Sequence, residues 1–189
     1  MYMSIASIAL LSVVIVILIW GIDAYNKLVK QKTLMDEAWS IVDVFLKKRY
    51  DLIPNLVESV KGYATHERET LEAVINARNK AMAATDMQSR LNSENVLDGF
   101  LGRLMAISEN YPALRANENF MHLQRELAKL EDEVERSRRY FNGTVRENNI
   151  GIKVFPASII AGMFNFKEGV FYEIRDKKER DAPQVSFND

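Results

Sequence analysis

Two hydrophobic patterns meet at Asp23. From Ile5 to Ile22 no charged side chain occurs, and Ile, Val, Leu and Ala dominate. A helix crossing the roughly 30 Å hydrocarbon core of a bilayer needs about 20 mainly apolar residues, and Met1 to Ile22 supplies them. Beyond Asp23 the apolar positions recur at helical spacing. Leu28, Met35 and Val42 fall a heptad apart, as do Ala38 and Phe45, and Trp39 and Leu46 widen the stripe. No Pro or Gly separates Asp23 from Lys48. The first helix is therefore expected to run straight out of the bilayer into a domain. It should close on Lys47, Lys48 and Arg49, cations suited to a helix C-terminus.

Asp51 reads as the N-cap of a second helix with Leu52, Ile53 and Pro54 in its first turn, where proline is tolerated. Its stripe is Leu56, Val60, Ala64, Leu71, Val74 and Ile75, with Gly62 as a weak spot. The polar stretch Thr85 to Asn95 is the next connection. A third helix carries Val96, Leu97, Phe100, Leu101, Leu104, Ile107 and Tyr111 and stops before Pro112. The fourth starts near Asn117 with the seam Leu123, Leu127, Leu130, Val134 and Phe141, and Val145 one step off register. Gly151 is its expected C-cap. No segment alternates with period two. The pattern predicts an all-α protein, a single N-terminal transmembrane helix continuing into an antiparallel four-helix bundle. Residues 1–23 form the anchor and residues 24–172 the bundle, with Phe155 to Tyr172 as an apolar lid. Residues 173–189 form a charged tail.

Two other readings of the N-terminus are weaker. A cleaved signal peptide has a basic start and a shorter apolar core, whereas Met1 to Ser4 is uncharged and the apolar run is long. A buried core helix of a soluble domain would show a charged face. Lys27, Lys30 and Lys32 follow the span and no cation precedes it. The positive-inside rule then places the N-terminus outside and the bulk of the chain in the cytoplasm.

Composition narrows the partners. Twenty-five Lys and Arg nearly balance 26 Asp and Glu over 189 residues, whereas nucleic acid calls for a basic face. Cysteine is absent, which excludes disulfides, thiolate metal sites and thiol catalysis.

Several stretches are also similar to a known family. Tyr25-Asn26-Lys27-Leu28-Val29, Ala38 to Val44 and the run from Leu46 to Glu58 resemble the LemA family of bacterial membrane proteins. So do Val60-Lys61-Gly62-Tyr63-Ala64 with His66-Glu67, Glu109 to Leu114, Leu123 to Leu127, Phe155-Pro156, and Pro183, Val185 and Phe187. Phe141 and Asn148 stand where the family usually shows tyrosine. The resemblance implies one N-terminal anchor and a helical bundle at the bacterial inner membrane. It implies no reaction and no catalytic residues.

Candidate chemistry is sparse. His66 with Glu69 and Glu118 with His122 each share a helix face, but neither has the Glu-x-x-His order of the di-iron bundles, so both read as solvated. The run Glu131, Asp132, Glu133, Glu135 reads as a surface laced by Arg136 and Arg139. The triplet Lys47-Lys48-Arg49 reads as a helix cap or partner contact. Asp43, Glu67, Arg78 and Glu109 lie on or near apolar stripes. They form an internal ion-pair layer, solvated boundary positions or a pocket, with at least one acid expected to pair with Arg78. The leading expectation is a non-enzymatic interaction or scaffold module without cofactor, partnered by the bilayer and by a protein. The alternative is a metal-binding enzyme, or an accessory to a membrane hydrolase, using the His and Glu positions.

Overall fold

The computed structural model describes residues 5–172. Among them the chain forms helices and no strand: α1 (Ile5–Lys61), α2 (Arg68–Ala83), α3 (Met87–Asn110), α4 (Pro112–Arg115), α5 (Glu118–Lys153) and α6 (Ala157–Met163). The tail predicted for residues 173–189 lies outside the described residues, as do Met1 to Ser4 of the predicted anchor.

The first third of α1 is the apolar stretch. It contains a window of 18 residues with mean hydropathy 2.4, of which only 6% is buried. By length and composition this segment can cross a membrane. The remainder of the same helix enters the bundle, burying Leu28, Ala38, Val42, Leu46, Ile53, Leu56 and Val60.

Residue pairs give the topology. Along α1 and α5, Trp39 packs on Phe141, Arg49 reaches Glu131, and the Tyr63 hydroxyl accepts from Asn117. One number climbs as the other falls, so the two helices are antiparallel. Helix α2 turns back along α1 and brings Arg78 to Tyr50. Helix α3 climbs again, setting Arg90 against Asp43 and Glu94 against Arg49. The antiparallel four-helix bundle is built from α1, α2, α3 and α5, with α4 as a single turn at the far end. Side-chain caps start two of them. Asp86 accepts from Ser89 N–H at 2.9 Å and Asn117 from Phe120 N–H at 3.0 Å.

The helix boundaries differ from the sequence reading at one informative place. Helix α1 does not close at Arg49 but runs through Pro54 to Lys61, and the break comes at Gly62. Proline inside a helix removes one i→i−4 donor and crowds the preceding turn. Here the stripe Leu46, Ile53, Leu56, Val57, Val60 is buried continuously across it. The acceptor that Pro54 leaves free, the Tyr50 carbonyl, is taken by Arg78 Nε at 2.7 Å.

Smaller differences follow from packing. Val145 is fully buried, because Val134, Ser137, Phe141, Val145 and Asn148 keep a three- and four-residue spacing. Val96 is exposed. Helix α5 passes Gly151, which faces Gln31, and ends at Lys153.

The predicted lid is two structures. Its first half is α6, beside α1 at the membrane end. Its second half is an extended return held along α5 by asparagines. Asn149 donates to the Gly169 carbonyl at 3.0 Å and accepts Gly169 N–H at 2.8 Å. Seven residues earlier, Asn142 repeats this two-way bond with Tyr172, at 2.9 and 2.7 Å. Gly169 lies so close to Met35 that a Cβ would fall 2.5 Å from its sulfur.

Candidate functional site

The heptad Leu28, Met35, Val42 continues to Arg49 and Leu56, so the stripe carries a guanidinium into the core. Arg49 is 0% exposed. Burying a charge is costly unless it is paired and its hydrogens are satisfied, and the neighbouring helices supply acids. On α3, Glu94 occupies the stripe between Leu91 and Leu97 and is also fully buried. It takes Arg49 Nη2 and the Tyr50 hydroxyl on its two oxygens. Arg49 Nη1 donates to Asp98 Oδ1 at 2.8 Å and to Glu131 Oε1 at 2.9 Å. From α5, Arg138 Nη2 lies 3.4 Å from Glu94 Oε2. Its guanidinium stands 4.5 Å from the centroid of the Tyr172 ring.

Two bases and three acids thus tie α1, α3 and α5 together at mid-bundle. Burial opposes the charge of Arg49, but Glu94, Asp98 and Glu131 more than offset it and hold the guanidinium firmly protonated. Burial lifts the Glu94 carboxyl above the usual carboxylate range, against the pull of Arg49 and the Tyr50 hydroxyl. The same burial, reinforced by Glu94, pushes the Tyr50 phenol far above its ordinary value. Tyr172 is raised to about 12, chiefly by burial and against the opposing charge of Arg138. The nitrogens Nε of Arg49 and Arg138 and the Tyr172 hydroxyl find no partner among the described residues.

A raised carboxyl beside a protonated phenol has the elements of acid–base chemistry. A reacting group would still need a way in. Cavities of about 850, 470 and 250 Å³ lie on the bundle, and Arg49, Tyr50, Glu94 and Arg138 line none of these three. The cluster's geometry is that of a register lock. A shift along any of the three helices would separate a buried charge from its partner.

The residues singled out from the sequence lie elsewhere. Asp43 is exposed, one step round α1 from Val42, and pairs with Arg90, whose guanidinium lies 5.5 Å over Trp39. Glu67 is half-buried at the start of α2, and its carbonyl accepts Leu71 N–H at 3.1 Å. Glu109 is exposed, one step beyond the buried Ser108. None of these three acids pairs with Arg78. The carboxylate beside Arg78 is Asp51, 4.0 Å away, and its stronger bond is to the Tyr50 carbonyl. The expected layer on Arg78 is therefore replaced by the cluster on Arg49. The triplet divides too: Lys47 pairs with Asp51 and Lys48 stacks on Phe45 at the surface, while Arg49 is inside. Glu131 belongs to the cluster, whereas Glu133 and Glu135 pair along the surface with Arg136 and Arg139.

The cavity of about 850 Å³ is an open groove between α1 and α2 at the end remote from the apolar stretch. Pro54, Val57, Ala64, Leu71 and Ile75 form its floor, and Glu58, Lys61, Arg68 and Glu72 its rim. The rim charges are already paired, Lys61 with Glu58 and Arg68 with Glu72. His66 and His122 are exposed. Among the described residues no group of three His, Asp or Glu side chains is placed to hold a metal ion.

Comparison with known proteins adds three findings. The profile of the LemA family matches residues 38–187. Protein LemA of Metamycoplasma hominis is 26% identical over 137 residues, which cover 72% of this chain and 63% of that protein. Magnetosome protein MamQ of Magnetospirillum gryphiswaldense is 28% identical over 96 residues, and Magnetosome protein MamQ 2 of Paramagnetospirillum magneticum 27%. Each MamQ match covers 51% of this chain and 35% of the relative. The chain thus spans less than two thirds of these relatives.

Proposed function

From the premise that this chain belongs to the LemA family of membrane-associated helical proteins, we propose that it is a non-enzymatic interaction module. It is anchored by residues 1–23, presents the bundle of residues 24–172 and ends in the charged tail of residues 173–189. Lys27, Lys30 and Lys32 at the exit of the span support a bundle on the cytoplasmic side of the bacterial inner membrane, with the N-terminus outside. The observation that carries this reading is the division of labour among polar residues. The buried Arg49 and Glu94 pair with each other and Arg49 with the half-exposed Asp98 and Glu131, and the groove between α1 and α2 has an apolar floor rimmed by paired charges. Such a surface suits the apolar face of a partner helix. Asp43, Glu67 and Glu109 serve as surface charges around the bundle, and Arg78 braces α2 against α1.

A photo-cross-linking amino acid at Ile75, in the full chain within its own membrane, tests the reading. A discrete protein adduct is expected, and it should vanish with Asn76→Arg, a change at an exposed residue lining the groove that leaves the bundle folded. A stoichiometric metal ion lost with His66→Ala or His122→Ala would instead favour the metal-dependent alternative. Absence of any adduct at Ile75 would count against the groove.

A further inference from the structure

Helix α6 and the turn before it carry more exposed apolar surface than a water-facing element of the bundle needs. From Val154 to Phe166 there is no charged residue, and Lys153 and Lys167 bracket the run. Ala161 is turned inward, whereas Phe155 is 77% exposed and Met163 72%, with Ile159 and Phe164 also open. Contiguous exposed apolar surface of this kind marks a binding face, and its position says what covers it. Ile160 lies against Gly21, and Phe164 and Phe166 pack on the Tyr25 ring with centroids 4.7 and 5.8 Å away. Helix α6 therefore lies beside the bundle-side end of the apolar stretch. There the adjoining surface of α1 is Leu18, Ile19 and Ile22, all exposed to the same surroundings.

The backbone of the turn is partly paired, and the Phe155 N–H and carbonyl, with no backbone partner among the described residues, suit a seat at headgroup level rather than deep in hydrocarbon. Irregular chain within hydrocarbon is tolerated only where its polar groups are satisfied. Val154 N–H donates to Ile150 at 3.0 Å, and Pro156 has no N–H to satisfy. The Val154 and Pro156 carbonyls accept from Ser158 at 2.9 Å and Ile159 at 3.1 Å. A helix of seven residues is about 10 Å long and cannot cross a bilayer. It can lie in one leaflet, with Tyr25, Phe164 and Phe166 as an aromatic cluster at headgroup level and the two lysines in water.

We infer that the segment Val154–Phe166 is a second membrane contact, a foot set into the leaflet beside the span on the bundle's side. This goes beyond the single anchor of the proposed function. The bundle would stand on the membrane at two points, the span of α1 and the returning end of α5 through α6.

The chain has no cysteine, so single-cysteine variants can carry a nitroxide label in the full protein, reconstituted into phosphatidylcholine–phosphatidylglycerol vesicles. Collisions with oxygen, which enters lipid, are compared with collisions with a water-soluble nickel chelate. Ile15→Cys in the span reports lipid and Tyr140→Cys on the outer face of α5 reports water. Phe155→Cys and Ile159→Cys are expected to favour oxygen over the chelate several-fold. Values matching Tyr140→Cys at Phe155 and Ile159 would overturn the inference, and a lipid reading at Ile15 would leave the anchor standing. Protection from both reagents, with dipolar broadening between labels, would overturn it too, by showing a second copy on this face.

Discussion

Arg78 Nε donates to the Tyr50 carbonyl across 2.7 Å, and this carbonyl is the acceptor that Pro54, four residues on, cannot serve. A flaw in one helix is thus completed by the side chain of the next. The bond explains how α1 continues through a proline and why α2 packs where it does.

Arg78→Ala is expected to cost about 1–3 kcal/mol, the range for a buried acceptor left unpaired. The loss should shrink in a Pro54→Ala background, where residue 54 regains its N–H. Denaturation of the four proteins of this cycle in detergent measures the coupling. Equal losses in both backgrounds would show that Arg78 acts through something other than the orphan carbonyl.

Arg49→Met should be among the most damaging single changes in the bundle. Removing one partner of a buried ionic group strands the others and costs about 3–5 kcal/mol. Adding Glu94→Gln should recover part of that loss by removing the stranded charge. Arg139→Ala, at an exposed pair, is the control and should stay within about 0.5 kcal/mol.

Tyr172 gives the bundle a defined alkaline limit. Its folded-state value of about 12 exceeds the ordinary 10.0, so between these limits the folded phenol keeps a proton that the unfolded chain releases. The contribution is complete below about pH 10 and is lost as pH rises toward 12. Tyr50 is shifted in the same direction. Tyr172→Phe should therefore lose no stability at neutral pH, where the hydroxyl has no partner among the described residues. Its melting temperature should fall less steeply than the wild type's between pH 10 and 12.

The asparagine clamps should be visible one at a time. Asn149→Ala removes both bonds to Gly169, and hydrogen exchange at the Gly169 amide is expected to quicken while the Tyr172 amide stays protected. Asn142→Ala should do the reverse. Loss of protection at both amides in either variant would mean that the return segment opens as a unit.

Deleting residues 1–23 is expected to leave the helicity and melting of the bundle nearly unchanged, because the buried seam begins at Ala24 and Leu28. A large drop in helical circular dichroism would make the span part of the folding unit.

The all-helical class, the apolar stretch and the four-helix order were legible because each rests on periodicity, and burial enforces periodicity. The boundary at Arg49 was misjudged because a cation near a proline reads as a helix end, when the same residue also extends the heptad of Leu28, Met35 and Val42. That second signal is available. So is Glu94, in step with Leu91, Leu97 and Leu101, although the polar residues around it, from Thr85 to Asn95, resemble a connection. Asp43 and Glu109 misled for the opposite reason, since one step of about 100° round a helix separates a core position from an exposed one. The reach of Arg78 to a backbone carbonyl has no sequence period at all. It depends on where α2 returns along α1.

The continuity of α1 has a mechanical consequence. From Asp23 to Lys61 an unbroken helix extends about 57 Å at about 1.5 Å per residue, and Arg78 splints its weakest point. A rod of that length is a lever. A change in tilt of about 10° at the bilayer, modest beside the spread of about 0–40° that membrane helices adopt, would swing its far end sideways by about 10 Å. Bilayer thickness and the reach of the groove at Val57 and Lys61 are thereby geared to each other.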